Sequence, residues 1–225
     1  MNIVITGASR GIGLGFVRHY HNHGHQVWAV CRTLSDELAA LQSKDVWVVY
    51  WDVRKEIPGA GSDVLPECID LLINNAGIYG PARVDGQGLE SVTMEGMHEV
   101  FDVDCLGALR VVQYLLPAIK KGGGVVANLS SKMGSSEDNS SGGCYAYRAA
   151  KGALVIVSKS MAIDLAPYGV DVITLHPGWV RTDMTDFNGL IDVGQSVAGM
   201  ANVIARIDDY EPGQFVAFDG VVIPY

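Results

Sequence analysis

Tyr147 and Lys151 stand four residues apart in a stretch with helical patterning, so their side chains share one face. An ammonium beside a phenol stabilises the phenolate and draws the tyrosine pKa from about 10 towards the working range. Such a phenol can give a proton to an oxygen or take one from a hydroxyl. Tyr145 is set aside as the acid, because position 149 is alanine and offers it no lysine. The plain alternative for Tyr147 and Lys151 is a pair on an exposed helix.

A second stretch suits phosphate. Thr6-Gly7-Ala8-Ser9-Arg10-Gly11-Ile12-Gly13 follows the first apolar run and opens a helical pattern. Glycines at this spacing let the backbone turn sharply and approach a pyrophosphate, while the helix offers unpaired N–H groups and its positive end. A strand before the loop and a helix after it make a dinucleotide site the stronger reading over a ligand-free tight turn. About 20 residues on, an acid would bond the ribose hydroxyls and repel a 2′-phosphate. The chain instead has Cys31-Arg32-Thr33, so Arg32, with Arg10 from the loop, favours NADP(H) over NAD(H). Asp36 comes four residues later, where capping or solvation of a helix start is the commoner role. Asp52 and Val53 close the third strand. Asp52 either bonds the adenine edge or is an ordinary turn residue.

These residues need elements to hold them. Apolar runs at 2–6, 26–31, 46–51, 69–74, 124–130, 170–176 and 214–218 read as strands, several apolar along their whole length. Helical patterns at 11–22, 35–43, 94–121, 145–166 and 193–207 alternate with them. The pattern predicts a single α/β domain over 1–225, a Rossmann-type doubly wound parallel sheet of about seven strands with helices on both faces. Between Val53 and Cys68, Pro58, Gly59, Gly61 and Pro66 predict an irregular connection in place of a helix.

Composition narrows the classes. Of 225 residues, 48% are hydrophobic and 18% charged, which describes a globular chain. A net charge of −9 argues against nucleic acid or an anionic membrane as the main partner. Cys31, Cys68, Cys105 and Cys144 have no metal or redox spacing and read as reduced thiols in a cytoplasmic protein. No signal peptide is expected, and no apolar run approaches the roughly 20 residues that span a bilayer. His19, His21, His23 and His25 are dense, and His19 and His23 share a helix face, but a solvated helix end is the expected reading and no metal is assigned.

The motifs in order carry a family resemblance. Gly7, Gly11 and Gly13, then Asn74-Asn75-Ala76-Gly77, Ser131, Tyr147-x-x-x-Lys151 and Pro177-Gly178 resemble the short-chain dehydrogenases/reductases over essentially the whole chain. The stretches 130–134, 141–151 and 176–184 are most similar to the C-factor-like and sniffer-type carbonyl reductase branch. The resemblance implies an NADP(H)-dependent oxidoreductase that interconverts a carbonyl compound and an alcohol by hydride transfer. Tyr147 would be the general acid/base, Ser131 would hold the substrate oxygen, and Lys151 would also bond the nicotinamide ribose. Asn75, Ala76 and Gly77 would line the cofactor cleft, with Pro177 and Gly178 at its edge and Val180 and Thr182 meeting the carboxamide. For Pro177-Gly178 the alternative is a plain turn.

One position departs from the family. In Phe101-Asp102-Val103-Asp104-Cys105, Asp104 occupies the place of an asparagine that shapes a helix kink and a proton relay to the lysine. Aspartate nearly keeps the shape and loses the amide donor. Its charge is expected to shift the pKa values of Lys151 and Tyr147. Segments 135–143 and 183–199, the latter with Met184, Phe187, Leu190 and Ile191, are expected to shape the substrate pocket and its lid. A small carbonyl or alcohol substrate and a homo-oligomer through the helices at 94–121 and 145–166 are the expected partners. The alternative is a nucleotide-binding signalling or interaction protein with the same fold and little catalysis.

Overall fold

A strand that is apolar on both faces must be paired on both edges and covered above and below. The computed structural model, which describes residues 1–56, 64–80 and 87–225, meets both demands for its inner strands. The strands are β1 (Asn2–Thr6), β2 (Gln26–Cys31), β3 (Val46–Tyr50), β4 (Leu71–Asn74), β5 (Val125–Leu129), β6 (Asp171–His176) and β7 (Phe215–Ala217). They form one sheet in the order β3-β2-β1-β4-β5-β6-β7, and every neighbouring pair is parallel.

Alternation along β1 divides the core. Ile3 and Ile5 point to one face, against Phe16 and Val17 of helix α1 (Gly11–Asn22) and Met200 and Ile204 of helix α6 (Val193–Ala205). Val4 points to the other, against Val111, Leu115 and Ile119 of helix α4 (Gly107–Gly122) and Met161 and Leu165 of helix α5 (Tyr145–Leu165). Strand order reverses between β1 and β4. Their carboxyl ends therefore open a crevice between the connections that leave in opposite directions, the usual ligand position in such sheets.

The expected elements recur with instructive differences. Strand ends move by one or two residues, as at 46–51, where β3 stops at Tyr50 and Trp51 keeps one backbone bond to Cys31 O (3.0 Å). The helix expected at 35–43 shrinks to α2 (Asp36–Ala39), because Ser43 N turns back to Val46 O (3.2 Å) to start β3. The helix expected at 94–121 is interrupted. Helix α3 (Met94–Phe101) runs into a π-helical turn, Asp102–Leu106, before α4 begins. Arg110 steadies this widened turn: its guanidinium donates to Asp102 O and Val53 O, both at 3.3 Å, and pairs with the Asp102 carboxylate. No helix forms in the described parts of the connection before β4, and residues 57–63 lie outside the described set.

Phe16 is fully buried between α1 and the sheet. Phe16→Ala is expected to remove about 3–5 kcal/mol of stability, seen as a lower midpoint in urea unfolding. A loss under about 1 kcal/mol would contradict this packing.

Candidate active site

The glycine loop is held by the strand beside it. Thr6 Oγ1 accepts from the backbone N–H of Asn75 (3.0 Å) and Ala76 (3.1 Å), and Asn75 Nδ2 donates to Thr6 O (2.9 Å) and Gly7 O (3.1 Å). Space there is tight: a Cβ on Gly13 would sit 2.2 Å from Gly7 O and 2.5 Å from Asn75 Nδ2. Gly13 thus serves close backbone packing and is absent from the cleft wall. Arg10 is the N-cap residue of α1 and its side chain makes no capping bond, which leaves first-turn N–H groups of α1 for an anion.

The crevice is a cleft of about 480 Å³. Gly7, Ser9, Arg10, Gly11 and Ile12 line it from the loop, Arg32, Asp52 and Val53 from the ends of β2 and β3. Asn75, Ala76, Gly77, Tyr147, Lys151, Pro177 and Thr182 complete most of the expected wall. Trp51, Ile78, Leu129 and Ser35 also line it and went unnoticed in the sequence. Three of them, Trp51, Ile78 and Leu129, lie at or just beyond strand ends, which is the signal that could have found them. Val180 is buried, and Gly178 (φ +83°) packs under Ile191 and Phe218, so these two frame the cleft from behind.

Charge is arranged unevenly around the opening. Arg32 is exposed at the rim. Asp52 is gripped by Arg54, Nη2 to Oδ2 at 2.7 Å and Nε to Oδ1 at 3.1 Å, and this bonding holds its pKa down at about 2. Arg10 Nη1 reaches Asp183 Oδ2 at 3.3 Å, linking the glycine loop to the segment after β6. Among the described residues no group of three or more His, Cys, Asp or Glu side chains gathers as a metal site. The rings of His19 and His23 lie 4.4 Å apart, and all four cysteines are free thiols.

At the inner end of the cleft, Lys151 is buried with Nζ donating to Leu129 O (2.9 Å) and 3.2 Å from Asp104 Oδ2. Asp104 Oδ1 accepts from the Ile78 N–H (2.8 Å). A Cβ on Gly77 would stand 3.3 Å from both Lys151 Nζ and Asp104 Oδ2, so glycine leaves room for the pair. Asp104 itself is off the cleft wall and meets two groups that line it, the Lys151 ammonium and the Ile78 N–H. Ser131 stands near enough to the Tyr147 phenol to favour its ionised form, and its Oγ accepts from the Met133 N–H (3.2 Å). Tyr145 is exposed.

The electrostatics differ from the sequence expectation. Burial pushes the Tyr147 phenol above its ordinary value, and Asp104 adds to this, while Lys151 and Ser131 pull the other way without prevailing. For Lys151 burial works to lower the pKa, but the negative fields of Asp104 and Tyr147 outweigh it and the ammonium is held up. Burial raises Asp104, against the pull of Lys151 and the Ile78 N–H. The set offers a phenol that keeps its proton, a hydroxyl beside it and a fixed cation: an arrangement suited to protonating a carbonyl oxygen.

Comparison with known proteins agrees with the geometry. The short chain dehydrogenase family model matches residues 1–189. The chain belongs to the short-chain dehydrogenase/reductase family. It is therefore an oxidoreductase by family, in the branch with C-factor and carbonyl reductases. It is 39% identical over 158 residues to C-signal of Myxococcus xanthus, covering 70% of this chain and 93% of that one. The carbonyl reductase Sniffer of D. melanogaster superposes with a TM-score of 0.88 at 28% identity, covering 100% of this chain and 99% of that one. An NADPH-bound carbonyl reductase from chicken fatty liver gives 0.88 at 29% identity, covering 100% and 98%. No helix among the described residues is long and apolar enough to cross a membrane.

His176, at the end of β6, yields a prediction. Its Nδ1 accepts the Lys132 N–H (3.2 Å), and burial, with Lys132 nearby, lowers its pKa to about 4 against the pull of Asp138 and Asp219. The unfolded chain then binds the extra proton between about 6.5 and that value. Stability is expected to fall as pH drops through this window, and His176→Gln should flatten that part of a Tm–pH curve. An unchanged slope in the variant would rule His176 out as the cause.

Proposed function

We propose that this chain is an NADP(H)-dependent enzyme that interconverts an aldehyde or ketone and an alcohol, with Tyr147 as general acid/base. The observation that carries this reading is the pairing of Tyr147 and Lys151 on the wall of a cleft that the glycine loop also lines, with Ser131 beside the phenol. The residues fit a dinucleotide: α1 would offer its first-turn N–H groups to the pyrophosphate, Asn75 to Gly77 would wall the middle, and Thr182, beside Gly11, would reach the cofactor from the segment after β6. Arg32 at the rim supports the 2′-phosphate form, as does the NADPH bound to the chicken relative. Arg10 can join Arg32 once it leaves Asp183.

The bound dinucleotide supplies or accepts the hydride. Ser131 holds the substrate oxygen against the phenol. Tyr147 passes its proton to that oxygen during reduction and takes it back in the reverse direction. Lys151 steadies the phenolate that remains and bonds the ribose. Asp104 acts through Lys151, setting how much of the ammonium's field reaches the phenol. A homo-oligomer through α4 and α5 is part of the reading, supported by exposed Tyr114, Ile156 and Ile163 on those helices. The signalling alternative draws on the likeness to C-signal; the assembled site favours the enzyme.

NADPH oxidation over a panel of aldehydes, ketones and quinones tests the core of this reading. Tyr147→Phe is expected to lose about 10²–10⁴-fold in kcat; equal turnover by the variant, or none by the wild type on any carbonyl, would sink it. In titrations, NADP(H) is expected to bind more tightly than NAD(H), and Arg32→Asp to reverse the order. Asp104→Asn removes the charge that holds the Lys151 and Tyr147 protons. The alkaline limb of the reduction pH–rate profile is then expected to move to lower pH, and an unmoved profile would exclude a role for that charge.

A further inference from the structure

The catalytic helix begins without a cap of its own. Cys144, the N-cap residue of α5, sits in the left-handed region (φ 51°) and contributes no side-chain capping bond. Helices leave their first N–H groups without internal partners, and such groups need acceptors when buried. Here the acceptors come from a residue nearly sixty positions away. Gln87 Oε1 accepts from the Tyr147 N–H (3.4 Å), and Gln87 O accepts from the Tyr145 N–H (3.5 Å). Gln87 Nε2 donates to Tyr79 O (2.5 Å).

Three further observations mark Gln87 as built into this place. It is 3% exposed, unusual for glutamine, and both polar ends of its carboxamide are engaged. Gly80 (φ +123°) clears its path, since a Cβ there would lie 2.9 Å from Gln87 Nε2. The residue that Gln87 grips, Tyr79, has its ring 4.8 Å from the Tyr147 ring, and its hydroxyl is 3.0 Å from Cys144 Sγ. Backbone and ring of Tyr147 are thus braced from one side chain, directly through the N–H and indirectly through Tyr79.

We propose that Gln87 is a positioning residue for Tyr147, a cap supplied to the start of α5 from a distant part of the chain, which fixes the height and tilt of the phenol in the cleft. The role rests on the reading of Tyr147 as the acid/base. A neutral carboxamide suits the place, because it satisfies the helix N–H without setting a second negative charge beside a phenol that already faces Asp104. Without it the first turn of α5 loosens, Tyr147 and Tyr79 shift together, and the phenol no longer meets the substrate oxygen in line with Ser131. The cleft wall contains neither Gln87 nor Tyr79, so the brace reaches the dinucleotide only by way of Tyr147.

Gln87→Met keeps the volume and removes the amide donor and acceptor. In the full-length chain, kcat for carbonyl reduction is expected to fall about 10- to 100-fold, the range that a misplacement of about 1 Å produces. The Kd for NADPH is expected to stay within twofold, and the isotope effect with NADPH deuterated at the transferred position to rise as chemistry becomes limiting. An activity-independent reading comes from protein labelled with ¹³Cζ-tyrosine, in which Tyr147→Phe assigns the resonance. Gln87→Met is expected to move the Tyr147 signal and that of Tyr79. Should Gln87→Met not fold, Gln87→Glu, which keeps the acceptor and loses the amide, is expected to move the Tyr79 signal and lower kcat. Wild-type kcat, unmoved tyrosine resonances, or a loss of kcat matched by an equal loss of NADPH-binding protein would each overturn the role of Gln87. An inactive wild type with moved resonances would overturn the proposed function and leave the brace standing.

Discussion

A lysine ammonium taken out of water is costly unless opposite charge and hydrogen-bond acceptors are waiting for it. Lys151 is such a cation, and much of the site follows from housing it. The end of β5 presents Leu129 O, the π-helical turn brings in the Asp104 carboxylate, and Gly77 leaves out a side chain that would crowd both. Asp104 in turn needs a donor and finds it in the Ile78 N–H, just beyond the loop that closes on the glycine-rich segment. The cation ties the end of β4, the end of β5, the π turn and α5 into one unit. In the proposed reaction the same unit sets the proton affinity of Tyr147.

Opposing influences on that phenol explain why the pairing of tyrosine and lysine is insufficient to set its acidity. Proximity to an ammonium favours phenolate, but the ammonium is already shared with a carboxylate, and the phenol is enclosed. A phenol that holds its proton is the right form for reducing a carbonyl and the wrong form for oxidising an alcohol. Burial of the phenol, with the aspartate adding to it, therefore leans the proposed chemistry towards reduction.

Much of this was legible from the sequence, for reasons that differ by element. The β1–loop–α1 unit was plain because strand, glycine spacing and helix start all point the same way, and Thr6 and Asn75 only tighten it. Tyr147 and Lys151 were plain because helix periodicity places them together. The π turn was hidden: one widened turn leaves the apolar pattern of 94–121 almost continuous, so periodicity read a single helix through it. The grip of Arg54 on Asp52 was open to view two residues along, but nothing in the sequence distinguishes it from a solvated arginine. Gln87 was beyond reach, since its partners Tyr79 and Tyr147 come together only once the chain has folded back.

The Arg10–Asp183 pair joins the phosphate loop to the first turn of the segment that overhangs the cleft, and both side chains are largely exposed. An ion pair of that kind is worth about 0–1 kcal/mol and weakens with salt. It resembles a clasp more than a lock, closed by the same guanidinium that an incoming phosphate would claim. In the proposed reading, capturing the phosphate and loosening this one contact are a single event, with two anions competing for one cation. Ionic strength becomes a dial on both at once, so entry and escape from the cleft should quicken or slow together as the medium changes.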